Sequence, residues 1–281
     1  MDWQIVTDSS CDIVPAPSAD GLVRHVSVPF VLSVGDQDFV DDETLNTADL
    51  INAMESCKQA SRSSCPAPQA WLEHFKQAER TIALTISSNL SGSLNSAQAA
   101  RHLALEKDAS RQIAVVDSLS TGPEMTLCVE KIRELIGAGS SFEHVVAEAE
   151  EFLRRTHIAF ALCSFDNLVK NGRMGKVAGL MAKKLQMWGI GIGTDEGTIA
   201  IKAKTRGSAK AVKLLIEDMA ERGFEGGKVA ISHCHNLALA EKLRDGIKEL
   251  WHTADVGILP TRGLCSYYAE RGGLIVSFTE G

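Results

Sequence analysis

Hydroxyl groups dominate the positions at which this chain has the means to hold or transform a ligand. Ser87, Ser88, Ser91 and Ser93 stand in the stretch Ser87-Ser-Asn-Leu-Ser-Gly-Ser93, which follows the apolar run Thr81-Ile-Ala-Leu-Thr-Ile86 and precedes a segment rich in Ala and Leu. That order predicts a buried strand, a turn, and a helix from Leu94 to Leu105. The first N–H groups of a helix lack intrahelical partners and carry partial positive charge, so serines beside them form a seat for a carboxylate or a phosphate. One serine suffices as an N-cap. The others remain available to a ligand.

The arrangement recurs along the chain. Thr7, Asp8, Ser9 and Ser10 end the short apolar strand that begins at Trp3, Ser63 and Ser64 lie just ahead of a helix opened by Pro68, and Asp117 and Ser118 end the strand from Ile113 to Val116. In an open α/β sheet such strand ends converge on one edge, and ligands bind in the crevice there. The chemistry they share is neutral hydroxyl donation, without an evident catalytic residue.

The elements needed to bring these turns together are legible as an alternation. Strands are expected at Gln4 to Val6, Val23 to Val34, Thr81 to Ile86 and Gln112 to Val116, with helices at Ala48 to Cys57, Gln69 to Ala78, Leu94 to Leu105, Glu124 to Ile136 and Phe142 to Arg155. Beyond His157 follow a strand to Cys163, a helix at Lys176 to Met187, and two strands, Gly189 to Gly193 and Thr198 to Lys204, joined by Thr194-Asp-Glu-Gly197 as a hairpin. Ser208 to Ala220 and Ala238 to Leu250 read as helices, and Lys228 to His233, Asp255 to Leu259 and Leu274 to Phe278 as strands. The fold class is therefore α/β in two domains. Residues 1–156 carry a mainly parallel sheet covered by helices, residues 157–281 a smaller α/β unit, and the two share a cleft.

Bulk properties narrow the function. With 29 Lys+Arg against 36 Asp+Glu the net charge is −7, which disfavours a nucleic-acid partner because phosphate affinity rests on basic charge. No run of apolar residues approaches membrane-spanning length, and Met1-Asp-Trp3 lacks the basic start of a signal peptide, so the expectation is a cytoplasmic protein with at most transient membrane contact. The 7 cysteines are scattered without a CxxC pair, as expected of reduced thiols. His233-Cys-His235 sets two imidazoles at strand spacing but lacks further ligands at metal-site spacing, so no metal is expected. Gly189-Ile-Gly-Ile-Gly193 departs from the dinucleotide fingerprint and leads into a hairpin, where glycines permit close packing. Ser91-Gly92 at a strand–turn–helix junction suggests a serine hydrolase as an alternative, yet Asn89-Leu-Ser-Gly-Ser93 lacks the first glycine of a nucleophile elbow. A lipid-dependent regulatory or interaction protein is the other alternative.

Taken in order, the hydroxyl segments resemble those of the DegV family of bacterial fatty-acid-binding proteins. The matching segments are Thr7-Asp-Ser-Ser10 with Asp12, Ser63-Ser64 with Pro66, Ile86 to Ser93 with Ser96-Ala97, Asp117-Ser118, Asn167-Leu-Val-Lys-Asn-Gly-Arg173, and Lys204-Thr-Arg-Gly207. Gly263-Leu-Cys-Ser266 to Gly272-Gly-Leu274 extends the likeness almost to the end. The resemblance implies a two-domain DegV-like fold that needs no cofactor and binds a long-chain fatty acid. Its carboxylate would lie on Ser63, Ser88, Ser91 and Ser93, supported by Thr7, Asp8, Ser9, Ser64, Gly92, Asp117 and Ser118. It further implies a carrier that presents the lipid to the ATP-binding subunit of a fatty acid kinase, with Arg173 and Arg206 at the partner or at the transferred phosphate. Two segments depart from the family pattern: Ser63-Ser-Cys-Pro-Ala67 lacks its last hydroxyl, and Thr261-Arg-Gly-Leu-Cys-Ser266 stands where many members have a histidine that helps hold the head group.

Overall fold

The structure, a computed structural model, describes residues 2–57, 59, 61–174 and 187–280. In chain order its first half comprises β1 (Trp3–Asp8), β2 (Val23–Val28), β3 (Val31–Val34), β4 (Gln37–Val40), α1 (Thr47–Ser56), β5 (Ser61–Ser64), α2 (Pro68–Phe75), β6 (Arg80–Thr85), α3 (Ser93–Lys107), β7 (Gln112–Asp117), α4 (Pro123–Gly137) and α5 (Phe142–Arg154). The second half comprises β8 (Thr156–Leu162), α6 (Asp166–Lys170), β9 (Met187–Gly193), β10 (Ile199–Arg206), α7 (Ser208–Glu221), β11 (Lys228–His233), α8 (Leu237–Leu250), β12 (Asp255–Pro260), α9 (Gly263–Ala269) and β13 (Leu274–Thr279). The helix expected at Lys176 to Met187 lies outside the described residues, apart from Met187, which begins β9.

Strands β2, β1, β6 and β7 form a parallel sheet in that order. Alternate residues of each strand serve opposite layers. Ile5, Ile82 and Leu84 join Met125, Val129 and Ile132 of α4, whereas Val6 and Ala83 join Trp71 and Phe75 of α2 and Ala97 and Ala100 of α3. Burial on both faces explains the continuous apolar runs Ile82–Leu84 of β6 and Ile113–Val116 of β7.

Strands β8 to β13 build a six-stranded sheet in the order β10-β9-β8-β13-β11-β12, antiparallel except between β11 and β12. Along β8, Ala159 and Ala161 pack into the core under α7 and α8. Ile158, Phe160 and Leu162 point to the other face, where they meet Phe165, Leu168, Cys265 and Ala269. That face looks toward the first half of the molecule.

Two expectations are corrected. Val23 to Val34 is not one strand: Pro29 donates no ladder hydrogen bond, and the chain leaves the parallel sheet after Val28 to re-enter as β3 of a separate β4-β3-β5 sheet. Ser63 and Ser64 sit on a strand, not in a turn, because β5 pairs antiparallel with β3, opposing Ser63 to Leu32.

Candidate functional site

A cavity of about 400 Å³ opens between the two sheets. Its second-half wall is the face of the six-stranded sheet turned toward the first half, with Ile158, Phe160, Leu162, Gly193, Ile199 and Ile275. The opposite wall carries Phe30, Ile86 and Leu90, and α9 contributes Leu264, Cys265, Tyr268 and Ala269. Glycines let this apolar floor lie flat. A Cβ on Gly193 would come within 2.5 Å of Ile158 Cγ2, and one on Gly191 would run into the ring of Phe160. The glycine run predicted to permit close packing thus receives the side chains of the neighbouring strand.

Polar groups gather where β5 meets the turn before α3. Ser63, Ser64, Ser91, Gly92, Arg173 and Tyr268 all line the cavity. Ser63 Oγ and Tyr268 Oη are hydrogen-bonded at 2.8 Å. Ser91 Oγ accepts from the Ser93 N–H at 3.3 Å, which fixes the hydroxyl and leaves its proton to give. The guanidinium of Arg173 donates through Nε to the Leu90 carbonyl at 3.0 Å and through Nη1 to the Asn171 carbonyl. Burial pushes the Tyr268 hydroxyl above its ordinary value, against the opposing pull of Ser63 and Arg173, so it stays protonated. The 15-residue helix α3 begins at Ser93 with Gly92 as its N-cap, directing the positive end of its dipole toward this cluster.

The remaining predicted residues do not line the cavity. Ser93 is fully buried and donates to Asp8 Oδ2 at 2.6 Å. Ser88 is exposed, and its backbone N–H donates to Asp117 Oδ1 at 3.1 Å. Both therefore differ from the expectation of carboxylate contact, because the turn faces two of its hydroxyls elsewhere. Asp8 gathers the Ser10 N–H and hydroxyl on Oδ1, and the Ile86 N–H and Ser93 hydroxyl on Oδ2. Burial raises its pKa and these bonds pull it back. One carboxylate thereby ties the ends of β1 and β6 to the start of α3. Thr7 pairs with His25, Ser9 accepts from the Phe30 N–H, and Ser118 exchanges hydrogen bonds with Ser120. Burial, then Arg133 and Arg262, push His25 down to about 3, so its imidazole is neutral. Arg206 is exposed at the end of β10 and does not line the cavity.

The turn also clasps the second half of the molecule. Ser87 Oγ donates to the Gly197 carbonyl and Asn89 Nδ2 to the Glu196 carbonyl, both at 2.6 Å, so the β9–β10 hairpin rests on the serine turn.

Tyr268, Ser120, Thr121 and the apolar face of β8 were missed as site residues from sequence. Only β8 carried a usable signal, its alternation of large residues with alanine. The departing segment Thr261 to Ser266 turns inward: Arg262 donates to Ser27 and to the Asp41 carbonyl, and Thr261 and Ser266 bond to each other at 2.7 Å. No histidine is among the described residues lining the cavity, so Ser63 and Ser91 have no imidazole base there. His233 and His235 diverge, one accepting from the Asn236 N–H and the other pairing with Thr47. Among the described residues no cluster of metal-ligating side chains occurs, and no helix is long and apolar enough to cross a membrane.

Comparison with known proteins places this architecture. A DegV domain-containing protein of Streptococcus pneumoniae is 39% identical over 278 residues, covering 99% of both chains. The crystal structure of the fatty acid kinase (Fak) B3 protein of Streptococcus pneumoniae loaded with linoleic acid matches with a TM-score of 0.95 at 39% identity over 100% of both chains. A DegV family protein of Eubacterium eligens loaded with heptadecanoic acid matches with a TM-score of 0.95 at 36% identity, covering 99% of this chain and 100% of that one. A family model described as "Uncharacterised protein, DegV family" matches residues 2–280, and with these likenesses it establishes that the chain belongs to the DegV family.

Proposed function

We propose that this chain binds one long-chain fatty acid between residues 1–156 and 157–281, and presents the carboxyl group to the ATP-binding subunit of a fatty acid kinase. The observation that carries the reading is a cavity with apolar side chains along its floor and Ser63, Ser91 and Arg173 gathered beside the start of α3. Each methylene moved from water into such a cavity contributes roughly 0.8 kcal/mol, so the acyl chain supplies most of the affinity and the polar cluster sets its direction. Neighbours carrying linoleic and heptadecanoic acids, one of them a fatty acid kinase protein, support the same reading.

In this reading Ser63 and Ser91 donate to the carboxylate, the α3 dipole favours its negative charge, and Arg173 supplies a fixed positive charge. The kinase subunit brings ATP, and a carboxylate oxygen attacks the γ-phosphorus to give an acyl phosphate and ADP. The carrier positions the nucleophile and needs no metal or cofactor of its own. The setting is the cytoplasm, where ATP is available, and contact with a membrane is limited to loading. A hydrolase would need a base at Ser63 or Ser91, for which the cavity wall offers no histidine.

The test compares fatty-acid occupancy with the rate of acyl-phosphate formation on adding the kinase subunit and ATP. Arg206→Ala, at an exposed site, is expected to retain the lipid and slow the kinase step. Arg173→Ala, at the cavity wall, is expected to lose both. A wild-type protein that binds no fatty acid contradicts the reading.

A further inference from the structure

We propose that Tyr268 is a carboxylate-binding residue of this chain, acting with Ser63 as a hydroxyl pair that gives one proton to the bound anion. The proposal rests on the fatty-acid reading above and names a residue which that reading does not require. Helix α9 offers Leu264, Cys265, Tyr268 and Ala269 to the cavity, and of these only Tyr268 bears a hydroxyl. Its Oη lies 2.8 Å from Ser63 Oγ. Two hydroxyls bonded to each other use one proton between them and keep the second, which needs an acceptor. No other side chain is described as accepting it, and the pair lies on the cavity wall beside Arg173.

The neighbouring tyrosine shows why the hydroxyl points there. Tyr267 is fully buried, its Oη donates to Ser61 Oγ at 2.7 Å, and it accepts from Asn171 Nδ2 at 3.0 Å. Ser61 and Ser63 share one face of β5, so two consecutive tyrosines of α9 grip alternate serines of one strand. The rings meet edge to face with centroids 4.9 Å apart. Tyr267 is satisfied within the protein. Tyr268 is held in place by the same grip yet retains a proton for a ligand. Two further hydroxyls of the cavity wall are committed elsewhere: Ser120 Oγ donates to Glu124 at 2.6 Å, and Thr198 pairs with Thr194 at 2.8 Å.

The experiment measures the affinity of the delipidated full chain for an 18-carbon monounsaturated fatty acid and for its methyl ester. Tyr268→Phe keeps the ring and removes only the hydroxyl. It is expected to weaken the acid about tenfold, the loss typical of a hydrogen bond to a charged group, and to change the ester by less than about twofold. Ser63→Ala is expected to behave alike, and the double variant to lose little more than the larger single loss, because the two groups act as a unit. Tyr267→Phe is expected to lower the melting temperature without changing the acid-to-ester ratio. Unchanged acid affinity in Tyr268→Phe, or equal losses for acid and ester, overturns the assignment. A wild type that binds neither probe overturns the fatty-acid reading itself and is distinguishable from both.

Discussion

Four serines of one turn meet four different fates. Ser87 bonds across to Gly197, Ser88 lends its N–H to Asp117, Ser91 lines the cavity, and Ser93 is buried against Asp8. Sequence identified the turn but not this division, because which hydroxyl faces inward depends on a carboxylate 85 residues away. The consequence is a separable pair of effects. Ser93→Ala strands Asp8 with one donor fewer and should cost about 1.5–3 kcal/mol of stability, read as a lower melting temperature. Ser91→Ala should leave the melting of the lipid-free form near wild type and weaken fatty-acid binding about tenfold. Equal melting temperatures for the two variants contradict this assignment.

Glu124 provides a further test at the same scale. It is buried, accepts from Ser120 at 2.6 Å and Thr156 at 2.7 Å, and burial pushes its pKa from 4.5 to about 7 against those bonds and the charge of Arg222. The folded protein therefore holds a proton that the unfolded chain has released between about pH 4.5 and 7. Its stabilisation is full below that window and is lost as pH rises through it. The effect of one such carboxyl is on the order of 3 kcal/mol. His25, held down to about 3 from 6.5, contributes with the opposite sign over an overlapping window, so the clean comparison is wild type against Glu124→Gln across pH 5 to about 8. The stability gap between the two should shift in favour of the variant as pH rises, and a constant gap contradicts the prediction.

At the scale of elements, the cavity floor follows from the alternation along β8 and the glycines of β9. Phe160 lies over Gly191, its partner in the ladder, so Gly191→Ala displaces the ring and the nearest free space is the cavity. Overpacking of this kind typically costs about 1–3 kcal/mol. The variant should fold, bind less tightly, and shift its preference toward shorter acyl chains in a competition among acids of graded length. An unchanged length profile contradicts this role for Phe160. The alternation of Ile158, Phe160 and Leu162 with alanine was legible as a strand, and the glycine run as a place of close packing. Helix α9 was not legible. Its start at Gly263 and Leu264 is capped by Asp41, whose carboxylate accepts from both N–H groups at 2.8 and 2.7 Å, and no local signal announces a cap 222 residues distant. The same limit hid β5, whose strand character comes from pairing with β3 and not from its serine-rich sequence.

For the whole molecule, the α/β alternation with its parallel first sheet and the ordered hydroxyl motifs could be read directly, since both are local patterns repeated along the chain. How the parts close on each other could not. Core residues mix the halves: Phe30, Leu32 and Leu50 pack with Leu264 and Tyr267. Polar clasps do the same through Asp12 with the Arg262 N–H at 2.8 Å and through Ser87 and Asn89 with the β9–β10 hairpin. A ligand held between such halves stabilises the closed molecule with the logarithm of its excess over Kd, by about 2.7 kcal/mol at a hundredfold excess. Delipidation should therefore lower the melting temperature, and restoring the fatty acid should raise it again. The most direct measurement is mass spectrometry of a denaturing extract from protein purified without added ligand. Close to one fatty acid of about 14–20 carbons per chain is expected. An extract with no fatty acid, or with a stoichiometric nucleotide in its place, would contradict it.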